Sequence, residues 1–430
     1  MKEVTLAYGR HGLVVAVPDE AAVIRPTDLP GLADEEAAVL AALRTPTTGP
    51  PMADLVGRAD ATGLTGRRRR PPRVVVVFPD LTRPMPNRTV LPPLLAELER
   101  LGAGPDAVQL VCATGTHRRA TAAEMAELVG PDIVAGYGIH DHHSDDADHV
   151  VVGTVDGTPV ALDRRYVEAD VRILTGFVEP HFFAGFSGGP KGACPGLAAT
   201  ATILEAHSPA RIADRRATWL VTDGNPVHDF VRAAVALAPP TLSLDVAINR
   251  RRRLTAVFAG PLPQGHAAAC AYVADTAVQR VDGFFDVVVT TNAGYPLDRN
   301  LYQAVKGMAA AERVVAPGGT IIVAAACADG LPAGGPFARL LAAAADGAAL
   351  AAADGDSEPD RWQVQVLGRV LQKADVWLHS DGLDDAAVVA AHLRPVADVG
   401  AAVAEARAAA GPGARLCVLP EGPLTVVSVA

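Results

Sequence analysis

Apolar, β-branched runs alternate with amphipathic stretches along most of this chain. Residues 73–78 read, after Arg73, as a continuous valine-rich run, the pattern of a strand buried on both faces of a parallel sheet. Residues 90–101 follow with helical spacing. The segments 108–113 and 121–129 then read as strand and helix. A further strand is expected at 171–175 and a short helix at 200–207. The rhythm restarts near Phe285, with strands at 286–290, 320–325, 376–378 and 416–419. Helices are expected between them at 300–311, 336–345, 362–373 and 403–410. Such alternation predicts right-handed crossovers and mainly parallel sheets flanked by helices. Two stretches break the pattern. Residues 132–170 read as an antiparallel excursion, and 249–263, with its arginines and prolines, as the approach to a domain boundary.

A chain of 430 residues is too long for one small core. The expected class is α/β, with two α/β domains at 1–280 and 281–430 and an active site in the cleft between them. The last strand is allowed to pack back on the first domain. The unusual residues follow strands 73–78, 108–113, 171–175 and 286–290, at the carboxyl ends where open α/β sheets bind ligands.

Composition narrows the class. Half the residues are hydrophobic but only 4% are aromatic, which indicates alanine-rich helices rather than membrane spans. No apolar run approaches the roughly 18 residues a spanning helix needs. The polar start carries no signal-peptide pattern. Five scattered cysteines without a Cys-x-x-Cys pair suit a reducing cytoplasm and argue against disulfides or a structural zinc site. A net charge of −10 makes the chain a poor nucleic-acid binder. The basic run at 66–73 has no interleaved aromatics and reads as a solvated linker.

The chemistry concentrates in one segment, from Glu179 through His181, three phenylalanines, Ser187-Gly188-Gly189-Pro190-Lys191-Gly192 and on to His207. Glycines let backbone approach a neighbour closely, and a desolvated lysine can become a covalent anchor. The loop lacks Walker A spacing, although a mononucleotide phosphate would suit it. His207 ends a short helix, where an imidazole can serve as a metal ligand. His117 follows a Thr-Gly-Thr turn. Arg83 in Asp80-Leu81-Thr82-Arg83-Pro84 suits a carboxylate, which a guanidinium grips bidentately, and Asp80 could orient a neighbouring base. Tyr302 and Lys306 share a helix face, with Gln303 beside them. The cluster of His140, Asp141, His142, His143, Asp145, Asp146, Asp148 and His149 lacks hydrophobic framing and reads as a solvated polar loop.

Taken together, the segments 80–84, 113–117, 181–196 with His207, and 294–308 resemble the nickel-pincer lactate racemase family in order and spacing. The resemblance implies a racemase or epimerase of 2-hydroxy acids, lactate or a relative, working by hydride transfer. It implies a nickel-pincer nucleotide, a pyridinium mononucleotide whose sulfur-bearing arms and ring carbon grip Ni(II), covalently attached to Lys191. His207 would complete the metal's coordination. His117 and His181 would be the paired acid and base. Asp80, Ser187, Gly188, Gly189 and Trp362 would contact the cofactor, and Arg83, Tyr302, Gln303 and Lys306 the substrate. The expected partners are a small 2-hydroxy acid and, transiently, the cofactor-building enzymes, with no nucleic acid and no membrane. Two other readings stay open: a non-catalytic binder of an anionic nucleotide, and a metal-dependent hydrolase using the same histidines. No His-x-x-x-His or His-Glu-x-x-His pair supports the hydrolase.

Overall fold

The computed structural model describes residues 1–61, 72–332 and 335–429. The basic run read as a linker lies, up to residue 71, outside the described residues. The chain forms two compact units.

One unit holds Asp28–Ala206 and Thr218–Asp275. Its sheet has six strands, in the order Leu254–Gly260, Leu242–Ile248, Val171–Phe177, Val74–Pro79, Val108–Ala113, Gly138–Asp141. All neighbours are parallel except the first pair. The four-valine run takes the centre because both of its faces can be buried. Val74, Val76 and Phe78 pack under helix Asn87–Arg100, against Leu91, Leu94 and Leu98. Val75 and Val77 face the opposite way, towards Leu174, Leu197, Ile203 and Phe230. Each such side chain contributes roughly 1.5–3 kcal/mol by leaving water.

Both pattern-breaking stretches prove to be sheet structure in this unit. Gly138–Asp141 adds a parallel edge strand, and His149–Val155 pairs antiparallel with Thr158–Asp163. The hairpin turns at Asp156-Gly157, both at positive φ, as a tight two-residue turn requires. The stretch 249–263 holds the antiparallel strand Leu254–Gly260, whose prolines lie beyond its end.

The other unit holds Met1–Thr27, His207–Ala217 and Thr276–Ala430. Its main sheet has six strands, all parallel, in the order Arg394–Pro395, Ala374–His379, Val315–Ala324, Phe285–Thr291, Leu416–Leu419, Ala22–Val23. The partition differs from a single cut at 280. The amino-terminal hairpin Lys2–Leu6/Leu13–Val17 buries Val4, Leu6, Val15 and Val17 in this unit's core. Ala22–Val23 then becomes an edge strand beside Leu416–Leu419. The final strand, Val426–Val429, pairs with Val278–Val281 of the same unit.

Candidate active site

Asp80 follows the central strand of the first unit and is 3% exposed. Its Oδ2 lies 3.0 Å from His117 Nδ1, and Thr82 Oγ1 donates to its Oδ1 at 2.8 Å. Burial pushes the Asp80 carboxyl up. The His117 hydrogen bond and charge, the Arg83 charge and the Thr82 hydroxyl outweigh it and hold the group below its ordinary value. An ionised carboxylate can only accept, so it fixes the proton of neutral His117 on Nδ1 and leaves the lone pair on Nε2. The His117 side chain is 43% exposed, which makes that lone pair reachable.

The turn that presents His117 is tied on both sides. Gly115 has φ +57° and donates to Gly196 O at 3.1 Å. Asp141 accepts from Thr114 Oγ1 at 2.6 Å and from Ala120 N–H at 2.7 Å. Arg83 donates its backbone N–H to Asp80 O at 3.1 Å, closing the preceding loop.

His181 is held differently. Its Nδ1 accepts from the backbone N–H groups of Phe183 and Ala184, at 3.5 and 3.3 Å. The proton of the neutral ring therefore belongs on Nε2. The ring stacks on Phe182 at 4.9 Å between centroids and meets Phe183 edge-on at 4.5 Å. The loop closes at Gly185, where φ is +79° and a Cβ would lie 2.1 Å from Val221 O.

Lys191 stands in the single 3-10 turn Gly189–Gly192. The loop before it is set by its own framework. Ser187 Oγ donates to Phe177 O and accepts from Glu179 N–H, both at 2.9 Å. Gly189 N–H donates to Asp245 Oδ1 at 2.8 Å, and Ser243 Oγ donates to Asp245 Oδ2 at 2.8 Å. A Cβ on Gly188 would meet Asp245 at 2.7 Å, and one on Gly189 would meet the His266 ring at 2.4 Å. The glycines thus let Asp245 and His266 close on the loop. The His266 Nε2 lies 2.8 Å from Ser187 O, within hydrogen-bond reach. Buried His228 stacks on His266, and burial, with the charges of His266, Arg232 and Lys191, pushes its imidazole down to about 3.

The second unit gathers a separate set. Buried His207 lies 5.0 Å from the Trp362 ring, and Trp362 Nε1 donates to Tyr302 OH at 3.1 Å. Tyr302, Gln303 and Lys306 rise from helix Leu301–Glu312, which Asn300 caps. Lys306 Nζ donates to Gln303 Oε1 at 2.7 Å.

The structure therefore joins Asp80, Arg83 and His117. It places His181 and Ser187–Lys191 on one continuous loop, and it joins His207, Trp362 and Tyr302. Sequence reasoning missed Asp245 and His266, and it left Asp141 in a solvated polar loop. Ser243 and Asp245 leave one signal, since both are polar and buried within the otherwise apolar strand Leu242–Ile248. The histidine cluster read as a solvated loop is in part buried, with His142 fully inaccessible. The hairpin at 149–163 covers it, which supplies the framing the local sequence lacks.

Among the described residues, no helix is long and apolar enough to cross a membrane. Residues 8–219 match the lactate racemase N-terminal domain, and residues 281–428 the lactate racemase C-terminal domain. The chain is 34% identical over 361 residues to lactate racemase of Thermoanaerobacterium thermosaccharolyticum, covering 82% of this chain and 84% of that one. It is 34% identical over 358 residues to lactate racemase of Lactiplantibacillus plantarum, covering 81% and 83%. The lactate racemase apoprotein structure from T. thermosaccharolyticum superposes with a TM-score of 0.89 at 32% identity, covering 99% of this chain and all of that one. A Thermotoga maritima protein at 18% identity and TM-score 0.65, covering 94% of this chain and all of that one, shares the fold. With both halves matched and relatives at this identity over four-fifths of its length, the chain belongs to the lactate racemase family.

Proposed function

We propose that this protein interconverts the enantiomers of a 2-hydroxy acid, with lactate the first substrate to test. The observation that carries the reading is the opposite wiring of two imidazoles. His117 presents a lone pair at Nε2 because Asp80 holds its Nδ1 proton. His181 presents a proton at Nε2 because two backbone N–H groups occupy its Nδ1. A racemase needs such a pair, since the group that receives the hydroxyl proton in one direction returns it in the other.

The residues present fit a covalently held nickel-pincer nucleotide. Lys191 stands on a short turn whose shape Asp245 and His266 fix, and buried His207 supplies an imidazole donor beside Trp362. Nickel accepts imidazole readily. When bound, the cofactor would take hydride from the substrate carbon and give it back to the opposite face. The remaining work falls to this chain. His117 accepts the hydroxyl proton while Asp80 stabilises the imidazolium. From its doubly protonated ring, His181 would return a proton to the substrate oxygen and end neutral, and in the reverse direction it would take that proton up. Arg83 grips the substrate carboxylate bidentately, and Gln303, Lys306 and Tyr302 are assigned to substrate binding. Enzymes that build the cofactor would be transient partners.

The test uses protein co-produced with cofactor-building enzymes and supplied with either lactate enantiomer. Racemisation, a mass adduct lost in Lys191→Ala and nickel lost in His207→Ala are expected. Ligand binding without turnover, or zinc with hydrolytic activity, would overturn the reading.

A further inference from the structure

Away from the residues assigned to catalysis, the first unit holds a second group of metal-ligating side chains. The ligand atoms of His140, His142 and Asp163 all lie within 4.8 Å of one another. His142 and Asp163 are almost completely buried. His140 Nε2 is shielded from solvent and has no hydrogen-bond partner. It lies 3.6 Å from Asp163 Oδ2 and 3.7 Å from Asp146 Oδ2. His142 Nδ1 lies 3.2 Å from the same Asp163 oxygen.

These spacings are too long for hydrogen bonds at His140, yet they suit a shared ion. Two donors on a tetrahedral zinc, with bonds near ~2.0 Å, stand roughly 3.3 Å apart. The two carboxylates are already oriented from behind. Asp146 Oδ1 accepts from Arg119, and its Oδ2 also accepts from His143 N–H at 3.1 Å. Asp163 Oδ1 accepts from Arg165 N–H at 2.8 Å, with the Arg165 guanidinium 3.3 Å from Oδ2. Outer partners of this kind fix the direction of metal ligands. A surface depression lined by Arg119, His140, Asp146, Ala147, Asp148 and Arg165 gives an ion access.

We propose that His140, His142 and Asp163, with solvent completing the coordination and Asp146 beside His140 at the rim, bind a borderline divalent cation of the zinc type, at a site separate from the nickel position assigned to His207. Two imidazole nitrogens and one carboxylate favour such an ion over calcium or magnesium. The site also touches the turn that presents His117. His142 N–H donates to Cys112 O at 3.3 Å, Ser144 N–H donates to Gly115 O at 2.9 Å, and Asp141 holds Thr114. An ion that fixes residues 140–146 therefore stiffens that turn. The proposal does not depend on the racemase reading.

The test is calorimetric titration of Zn²⁺ into full-length, chelator-stripped His207→Ala protein, which removes the other assigned ligand. One zinc per chain is expected. Adding His140→Ala should weaken it by roughly a hundredfold or more, since even outer partners of metal ligands are worth roughly 10–100-fold. Asp146→Asn, at the partly exposed edge, should weaken it less and guards against a folding defect at the buried positions. Zinc should also slow hydrogen exchange across residues 140–146, and this protection should vanish in His140→Ala. No zinc binding, or zinc affinity unchanged in both substituted proteins, would overturn the site. Unchanged exchange in the zinc-bound protein would overturn its coupling to the His117 turn.

Discussion

His117 and His181 carry the same side chain, and the fold prepares them in opposite ways. A buried carboxylate holds His117 through Nδ1 and leaves the ring 43% exposed. Two backbone N–H groups hold His181, with its ring between Phe182 and Phe183. The first wiring yields an acceptor at Nε2 and the second a donor. A hydrogen-bond acceptor and a hydrogen-bond donor are thus distinguished by the partner on the far side of each ring.

Replacing either histidine should break the comparison most severely. His117→Ala and His181→Ala should each lower kcat by roughly 10²–10⁴-fold in both directions. Loss in one direction alone, measured from each enantiomer separately, would show that the two residues are not a shared pair.

Asp80→Asn is a more selective break. The amide keeps the size but can donate to Nδ1, which permits the other tautomer. We expect kcat to fall on the order of a hundredfold with KM changing little, because the substrate contacts remain. The same loss in a His117→Ala background would show that Asp80 acts elsewhere.

Acid should separate the two arms by stability. His228 favours its neutral form in the fold, with its value lowered from 6.5 to about 3. Between those values the unfolded chain binds the proton more readily. Stability is therefore full above about 6.5 and declines as pH falls towards 3, by at most about 1.4 kcal/mol per pH unit. The Asp80 carboxylate is also lowered, so its contribution is present above the ordinary carboxylate range and lost only as pH falls below it. The loop carrying His181 and Lys191 should loosen at milder acidity than the Asp80–His117 pair. Hydrogen exchange against pH checks the order, and simultaneous loosening would contradict it.

Glu97 supplies a control remote from both histidines. Arg100 and Arg44 clamp its buried carboxylate and hold it at about 2. Glu97→Gln should cost about 1–3 kcal/mol in denaturant unfolding and leave kcat unchanged. A large loss of kcat would mean that activity tracks global stability rather than the local wiring.

Much of this was legible in the sequence, for identifiable reasons. The valine run at 74–77 could only be a doubly buried strand, and the strand ends marked where Asp80, His117 and His181 would stand. Hydrogen-bond partners distant in sequence were not legible. Asp245 reaches Gly189 across 56 positions, and although a carboxylate in an apolar strand marks Asp245 as unusual, nothing local names its partner. The short strand Ala22–Val23 went unplaced because its partner, Leu416–Leu419, lies at the other end of the chain. The 140–149 cluster looked solvated because the hairpin that buries it owes its position to tertiary packing rather than to local pattern.

The central claim is that the paired histidines move only the hydroxyl proton, while the carbon-bound hydrogen never meets solvent. Single-turnover racemisation in D₂O by protein carrying the cofactor tests it most directly. The account predicts product with little deuterium at Cα, and slower turnover of substrate deuterated there. Near-complete deuterium at Cα would contradict it and make the two histidines conventional carbon acid and base.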